Sequence, residues 1–176
     1  KVTAGVNSGY DIMVLKLTNA AIPFPKPKLF IMTSVHAREY TPAELNTRFA
    51  EYLVANYGIN ADVTWMLDYN EIHLLLQANP DGRKQAETGI LWRKNTNQNY
   101  CSPTSNSRGD DLNRNYPFHW GGSGASASPC DNTYRGPSVA SEPDTQAVVN
   151  YVRANYADLR DDDINAAAPI TTTGIF

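Results

Sequence analysis

Apolar and polar positions along the chain fall into short continuous hydrophobic runs separated by stretches of helical spacing. DIMVLKL, residues 11–17, predicts a strand. KLFIMTSV, residues 28–35, predicts another, apolar enough to be buried on both faces. TPAE then gives a helix start, with Thr41 as cap, Pro42 at the first helical position and Glu44 closing a capping box. Leu45, Phe49 and Leu53 follow at four-residue spacing, and Gly58 is the expected stop. A short helix is expected at residues 63–67, and EIHLLLQA, residues 71–78, reads as a third buried strand. NPDG, residues 79–82, is a turn by composition. Residues 95–137 carry no sustained period, and segments that long are functional or disordered. Tyr116, Phe118, Trp120 and two cysteines favour an ordered, functional one. SEPDTQAVVNYVRANY, residues 141–156, predicts a second main helix, with Ser141 as cap and Val148, Val152 and Tyr156 as its apolar stripe. There is no repeat and no linker, so strands alternating with helices predict α/β layers around a largely parallel sheet.

Length and charge narrow the possibilities. The 176 residues suffice for one domain with a real core, and 41% hydrophobic with 19% charged residues is a globular composition. A net charge of −3 argues against a general nucleic-acid binder. No apolar run approaches membrane-spanning length and no signal peptide opens the chain. It starts at Lys1, as a mature form or an excised fragment would. Cys101 and Cys130 lie 29 positions apart across a Ser-, Asn- and Gly-rich stretch. Two free thiols and a disulfide are both open on composition. A cross-link would stabilise so polar a loop by ~3 kcal/mol in the loop-entropy account and would point to an oxidising compartment.

Candidate chemistry starts at TSVHAREYTPAE, where His36 and Glu39 sit between a strand exit and a helix entrance. Imidazole and carboxylate are zinc ligands, and a catalytic zinc takes three protein ligands plus water. An H-x-x-E pair alone also suits a histidine that merely bonds to nearby backbone. Its position favours a site, because ligands in open α/β sheets bind beyond the carboxyl ends of strands. LWRKN holds Arg93, and DLNRNY holds Asn113 and Arg114. An arginine can grip a carboxylate through two parallel hydrogen bonds, or steady an oxyanion beside a metal.

The ordered series HAREY, NPDGR, LWRKN, DLNRNYPFHW, GASASPC and YRGPSVASEPDTQAV resembles the zinc carboxypeptidases, the family of pancreatic carboxypeptidases A and B. The likeness runs from about Gly9 to about Tyr156. It implies a three-layer α/β/α fold with a mixed, largely parallel sheet. It implies Zn2+ as cofactor, with His36 and Glu39 as the first two ligands. Arg38 would line a substrate subsite, Arg93 would polarise the scissile carbonyl, and Asn113 with Arg114 would bind the substrate's terminal carboxylate. Cys101 and Cys130 match a pair bridged in the family, which implies an extracellular or periplasmic protein. The substrate would be a peptide or protein C-terminus, with no nucleic acid or membrane as partner and a monomer favoured. His73 and His119 match no ligand, so His73 is expected in the core and His119 on a loop.

The family's third ligand, a histidine on a strand after the second main helix, has no counterpart. TGIF resembles the first residues of that strand. The general-base glutamate and the specificity pocket would come later still, and the family's leading helix has no counterpart either. Residues 1–176 are therefore expected to form the N-terminal and central part of one catalytic domain, inactive alone. A related zinc amidase or deacylase, and a fragment that binds a peptide end without cutting, are the alternatives; Asn113 and Arg114 speak against the amidase. The acidic run at residues 161–163 reads as a solvated loop.

Overall fold

A computed structural model describes residues 9–158 and the backbone of residues 174–175. Elements run in the order β1 (Val14–Leu17), β2 (Lys28–Met32), α1 (Tyr40–Asn56), α2 (Ala61–Tyr69), β3 (Glu71–Leu75), α3 (Pro80–Ala86), a 3-10 turn (Leu112–Arg114), α4 (Pro143–Asn155) and β4 (Gly174–Ile175). The sheet order is β1-β3-β2-β4. β1 lies antiparallel to β3, whereas β2 runs parallel to both β3 and β4. This is the expected mixed, largely parallel sheet, and Gly174–Ile175 of TGIF enter it as a strand. The acidic run at residues 161–163 lies outside the described residues.

The pleat sorts side chains into two cores. Ile72 and Leu74 of β3 pack with Ala50 and Leu53 of α1 and Val63 and Leu67 of α2. Phe30 of β2 and Leu75 of β3 face the other way, against Val148 and Tyr156 of the α4 segment. Helices therefore cover both faces, and the layers are α/β/α.

Several local expectations are corrected. β2 ends at Met32 because Thr33 turns its amide and hydroxyl to Leu75 and Leu76 carbonyls, and Ser34 then takes a left-handed φ of 57°. β1 and β3 are also shorter than the apolar runs. α1 starts one residue before Thr41, with Glu39 in the cap position and no side-chain cap bond; Glu44 pairs with Arg48 instead of closing a box. Leu53 is buried but Leu45 is 70% exposed. Steps of four residues drift about 40° each around a helix, so Leu45 has rotated off the face that Leu53 buries. Gly58 does end α1, at a left-handed φ of 77°. NPDG is no turn: Asn79 caps α3 and Pro80 opens it. Ser141 is not the α4 cap, which is Glu142; the Ser141 hydroxyl donates to the Glu142 carboxylate at 3.0 Å.

His73 is buried on β3 as expected, with the Tyr151 hydroxyl 2.7 Å from Nδ1 and Glu71 Oε2 3.3 Å from Nε2. Burial pushes its pKa below the ordinary 6.5, opposed by Glu71 and assisted by the charges of Lys16 and Lys28. The unfolded chain takes a proton below pH 6.5 that folded His73 resists, so stability falls as pH drops through that value. We predict that His73→Gln reduces the loss of Tm between pH 7 and pH 5. An unchanged loss in thermal melts would contradict this.

Candidate active site

The exit of β2 and the entrance of α1 hold the first pair. His36 Nδ1 lies 2.9 Å from Glu39 Oε1, and His36 Nε2 lies 3.1 Å from Asp111 Oδ1. An ionised carboxylate only accepts, so the buried Asp111 takes the Nε2 hydrogen. In the neutral imidazole that leaves the Nδ1 lone pair facing another acceptor, Glu39 Oε1, whereas the imidazolium donates to both carboxylates. In the neutral form the pair suits a cation bound by both atoms. Glu39 also occupies the cap position of α1 but makes no side-chain cap bond.

Arg93 reaches the same carboxylate from its own loop, with Nε and Nη2 at 3.2 and 2.8 Å from Asp111 Oδ2. The Ala37 amide donates to the Arg93 carbonyl at 3.1 Å, which ties this loop to the His36 segment. Burial works against the Asp111 charge. Hydrogen bonds from His36 and Arg93 outweigh it and hold the carboxyl below its ordinary 3.8. Asp111 also caps the 3-10 turn, where its Oδ1 accepts the Asn113 amide at 3.1 Å. Arg114 is braced by Nε on the Gly124 carbonyl and Nη1 on the Asn113 carbonyl, both at 3.0 Å. Among the described residues its Nη2 has no partner. Asn113 and Arg114 open on a cavity of about 260 Å³ shared with Phe118, His119 and Trp120. Arg38 is exposed one residue before Glu39.

The structure thus joins His36, Glu39 and Arg93 through Asp111, sets Asn113 and Arg114 on the next turn, and leaves Arg38 at the rim. His119 lies on the loop, as expected. A larger groove of about 880 Å³, between α1 and α3 beside Tyr40 and Arg83, includes none of these site residues.

The zinc carboxypeptidase family model matches residues 6–168. The chain belongs to this family. It is 37% identical over 131 residues to metallocarboxypeptidase A of Trichophyton tonsurans, covering 74% of this chain and 30% of that protein. With human carboxypeptidase A5 it shares 35% identity over 146 residues, covering 82% of this chain and 32% of that one. Among solved structures, thrombin activatable fibrinolysis inhibitor superposes with a TM-score of 0.74 at 30% identity, over 83% of this chain and 36% of that one. Carboxypeptidase A from Helicoverpa armigera gives a TM-score of 0.71 at 26% identity, over 80% and 34%. The chain thus spans about a third of the length of these relatives.

The donor set fits the family's zinc. Two donors about 2.1 Å from a tetrahedral ion lie about 3.4 Å apart, so His36 Nδ1 and Glu39 Oε1, at 2.9 Å, need to part by only about half an ångström to hold one, and a carboxylate behind an imidazole ligand is the usual support. Among the described residues no third histidine, cysteine or carboxylate joins them in a metal-holding group. Asp111 serves the opposite nitrogen of His36.

Cys101 and Cys130 form a disulfide across the loop that carries DLNRNY. Lys94 Nζ holds the carbonyls of Pro129 and Asp131 on either side of Cys130, at 2.9 and 2.8 Å. Burial lowers its pKa to about 8.

Sequence reasoning missed Asp111, and with it the polar ground beneath the site. Asn95 accepts the Asp110 amide at 2.8 Å and donates to Glu142 at 2.7 Å; Asn115 donates to the carbonyls of Arg135 and Ser138. These asparagines are buried. Their one signal was density: an Asn-rich stretch between two helices that must fold without a period.

Asp110 is fully buried, and among the described residues neither carboxyl oxygen has a hydrogen-bond partner. Burial, then the charges of Glu142 and Asp111, push its pKa up to about 9. Between the ordinary 3.8 and about 9 the unfolded chain releases a proton that the folded chain keeps, so stability falls as pH rises across that window. Asp110→Asn removes this slope. Its Tm advantage over the parent should be larger at pH 8 than at pH 5; an equal difference at both would show that Asp110 carries no such proton.

Proposed function

We propose that the protein carrying this chain is a zinc-dependent exopeptidase that hydrolyses the C-terminal peptide bond of peptides or proteins. The observation that carries the reading is the convergence on Asp111: a metal-suited pair on one oxygen, an arginine on the other, and a second arginine on the following turn. His36 Nδ1 and Glu39 Oε1 are the zinc donors. The bound metal would supply a water of lowered pKa and a Lewis acid for the scissile carbonyl. Arg93 has both its Asp111 bonds on one edge and offers Nη1 to the developing oxyanion. Asn113 and Arg114 Nη2 receive the free terminal carboxylate. Arg38, at the rim, meets residues further from the cut.

The third ligand and the proton-accepting carboxylate are assigned to parts of the protein outside the described residues. On this reading residues 1–176 alone hold zinc weakly and do not turn over. One observation favours the second reading, a peptide-end-binding fragment that does not cut: no third donor is present among the described residues. The carboxylate clamp speaks against an amidase or deacylase. The Cys101–Cys130 bond supports an oxidising compartment, extracellular or periplasmic.

Arg114→Ala is expected to erase most of the preference for free over amidated C-termini, a loss of ~2–5 kcal/mol for a charge left without its partner. The check is kcat/KM on a matched pair of blocked dipeptides, free and amidated, with a chelator abolishing turnover in both. An unchanged preference would remove the clamp assignment. Separately, zinc competition against a metal-sensitive dye should show residues 1–176 binding zinc at least about tenfold more weakly than the complete protein; equal affinity would mean the chain completes the site itself.

A further inference from the structure

We infer that Asn79 is a positioning residue: its buried amide sets the spacing between the segment that carries His36 and the segment that carries Arg93. Asn79 is fully buried. Its Nδ2 donates to the Val35 carbonyl at 3.2 Å and to the Lys94 carbonyl at 3.0 Å. Val35 immediately precedes His36, and Lys94 immediately follows Arg93. Its Oδ1 accepts the Gly82 amide at 3.0 Å, as the cap of α3. Two carbonyls against one nitrogen, and an amide against the oxygen, fix the orientation of the group.

These bonds close a ring. Asp111 joins the His36 imidazole to the Arg93 guanidinium on the side-chain side. The Ala37–Arg93 backbone bond joins the same segments in the middle. Asn79 joins them beneath, through the carbonyls on the far side of each residue. A cap needs only the oxygen of Asn79, so the two Nδ2 bonds are beyond what starting α3 requires. Gly82 confirms how tight the junction is. A Cβ there would lie 2.5 Å from Asn79 Oδ1 and 2.7 Å from the Lys94 carbonyl. A third helix is thereby made the spacer of two loops.

The clamp is built without Asn79. Arg114 rests on Gly124 and Asn113, and Asn115 on Arg135, Ser138 and Ser141. A change at Asn79 should therefore reach His36 and Arg93 while sparing the grip on the terminal carboxylate.

Asn79→Asp keeps the shape and the cap oxygen but turns an acceptor toward two carbonyls. The inference rests on the roles proposed above for His36 and Arg93, so the test has two arms on the zinc-loaded complete protein. In the first, zinc release to a chelator should quicken about 10–100-fold, the range typical of losing support behind a ligand. In the second, kcat should fall at least about tenfold with KM within about twofold, because terminal-carboxylate binding is retained. Unchanged zinc release and kcat, even with a lowered Tm, would make Asn79 a purely structural cap and overturn the inference. So would a raised KM with kcat intact. If Asn79→Asp does not fold, Gly82→Ala presses on the same amide and is read by the same two arms. If the parent protein cuts no peptide, the exopeptidase reading fails, and the zinc-release arm still decides the role of Asn79.

Discussion

Asp111 is fully buried, and it can stay ionised there because every direction of its carboxylate is answered. Oδ1 takes His36 Nε2 and the Asn113 amide, and Oδ2 takes two nitrogens of Arg93. Removing one partner of a buried charged pair costs about 3–5 kcal/mol, so none of the three segments can drift without a large penalty. The same contact fixes the tautomer of His36 and turns its Nδ1 toward Glu39. The segments that carry the proposed metal donor, oxyanion arginine and carboxylate clamp thus meet at one side chain.

The scaffold gives up local preferences to make this geometry. Ser34 holds a left-handed φ of 57° where the chain leaves β2, a conformation that costs a non-glycine residue about 1–3 kcal/mol. Its hydroxyl reaches the Glu39 carbonyl at 3.3 Å. The cap position of α1 holds Glu39, a residue poorly suited to capping, whose carboxylate faces His36. Such violations gather at functional sites and are offset by packing elsewhere. Here the offset includes Trp92, buried beside Ala37 and Ala86, and the asparagines that stitch the loops together. The long aperiodic stretch is ordered by side-chain amides and a disulfide more than by apolar contacts.

Much of the fold was legible because it depends on repeated spacing. The three main strands and the two long helices follow from runs and periods that many residues share. Their ends were less legible, since a cap or a strand exit turns on one or two residues. Thr41 and Ser141 both have capping chemistry, yet each helix starts elsewhere. That His36 and Glu39 would meet was legible from their types and place. Arg93, Asn113 and Arg114 gained meaning only as members of an ordered series. Asp111 stayed hidden inside DLNRNY because an acidic residue before an apolar one reads as surface or cap, and only the fold brings His36 and Arg93 to it. Asn79 was masked in the same way by the turn-like composition of NPDG.

The most direct test of the account is zinc affinity in Asp111→Asn, measured by chelator competition on the complete protein under conditions where the fold is verified by circular dichroism. The substitution keeps the shape and removes the charge shared by His36 and Arg93. The account predicts zinc binding weaker by about 10–100-fold with secondary structure retained. Parent-like zinc affinity in a folded Asp111→Asn protein would contradict it, because the imidazole would then need no carboxylate behind it.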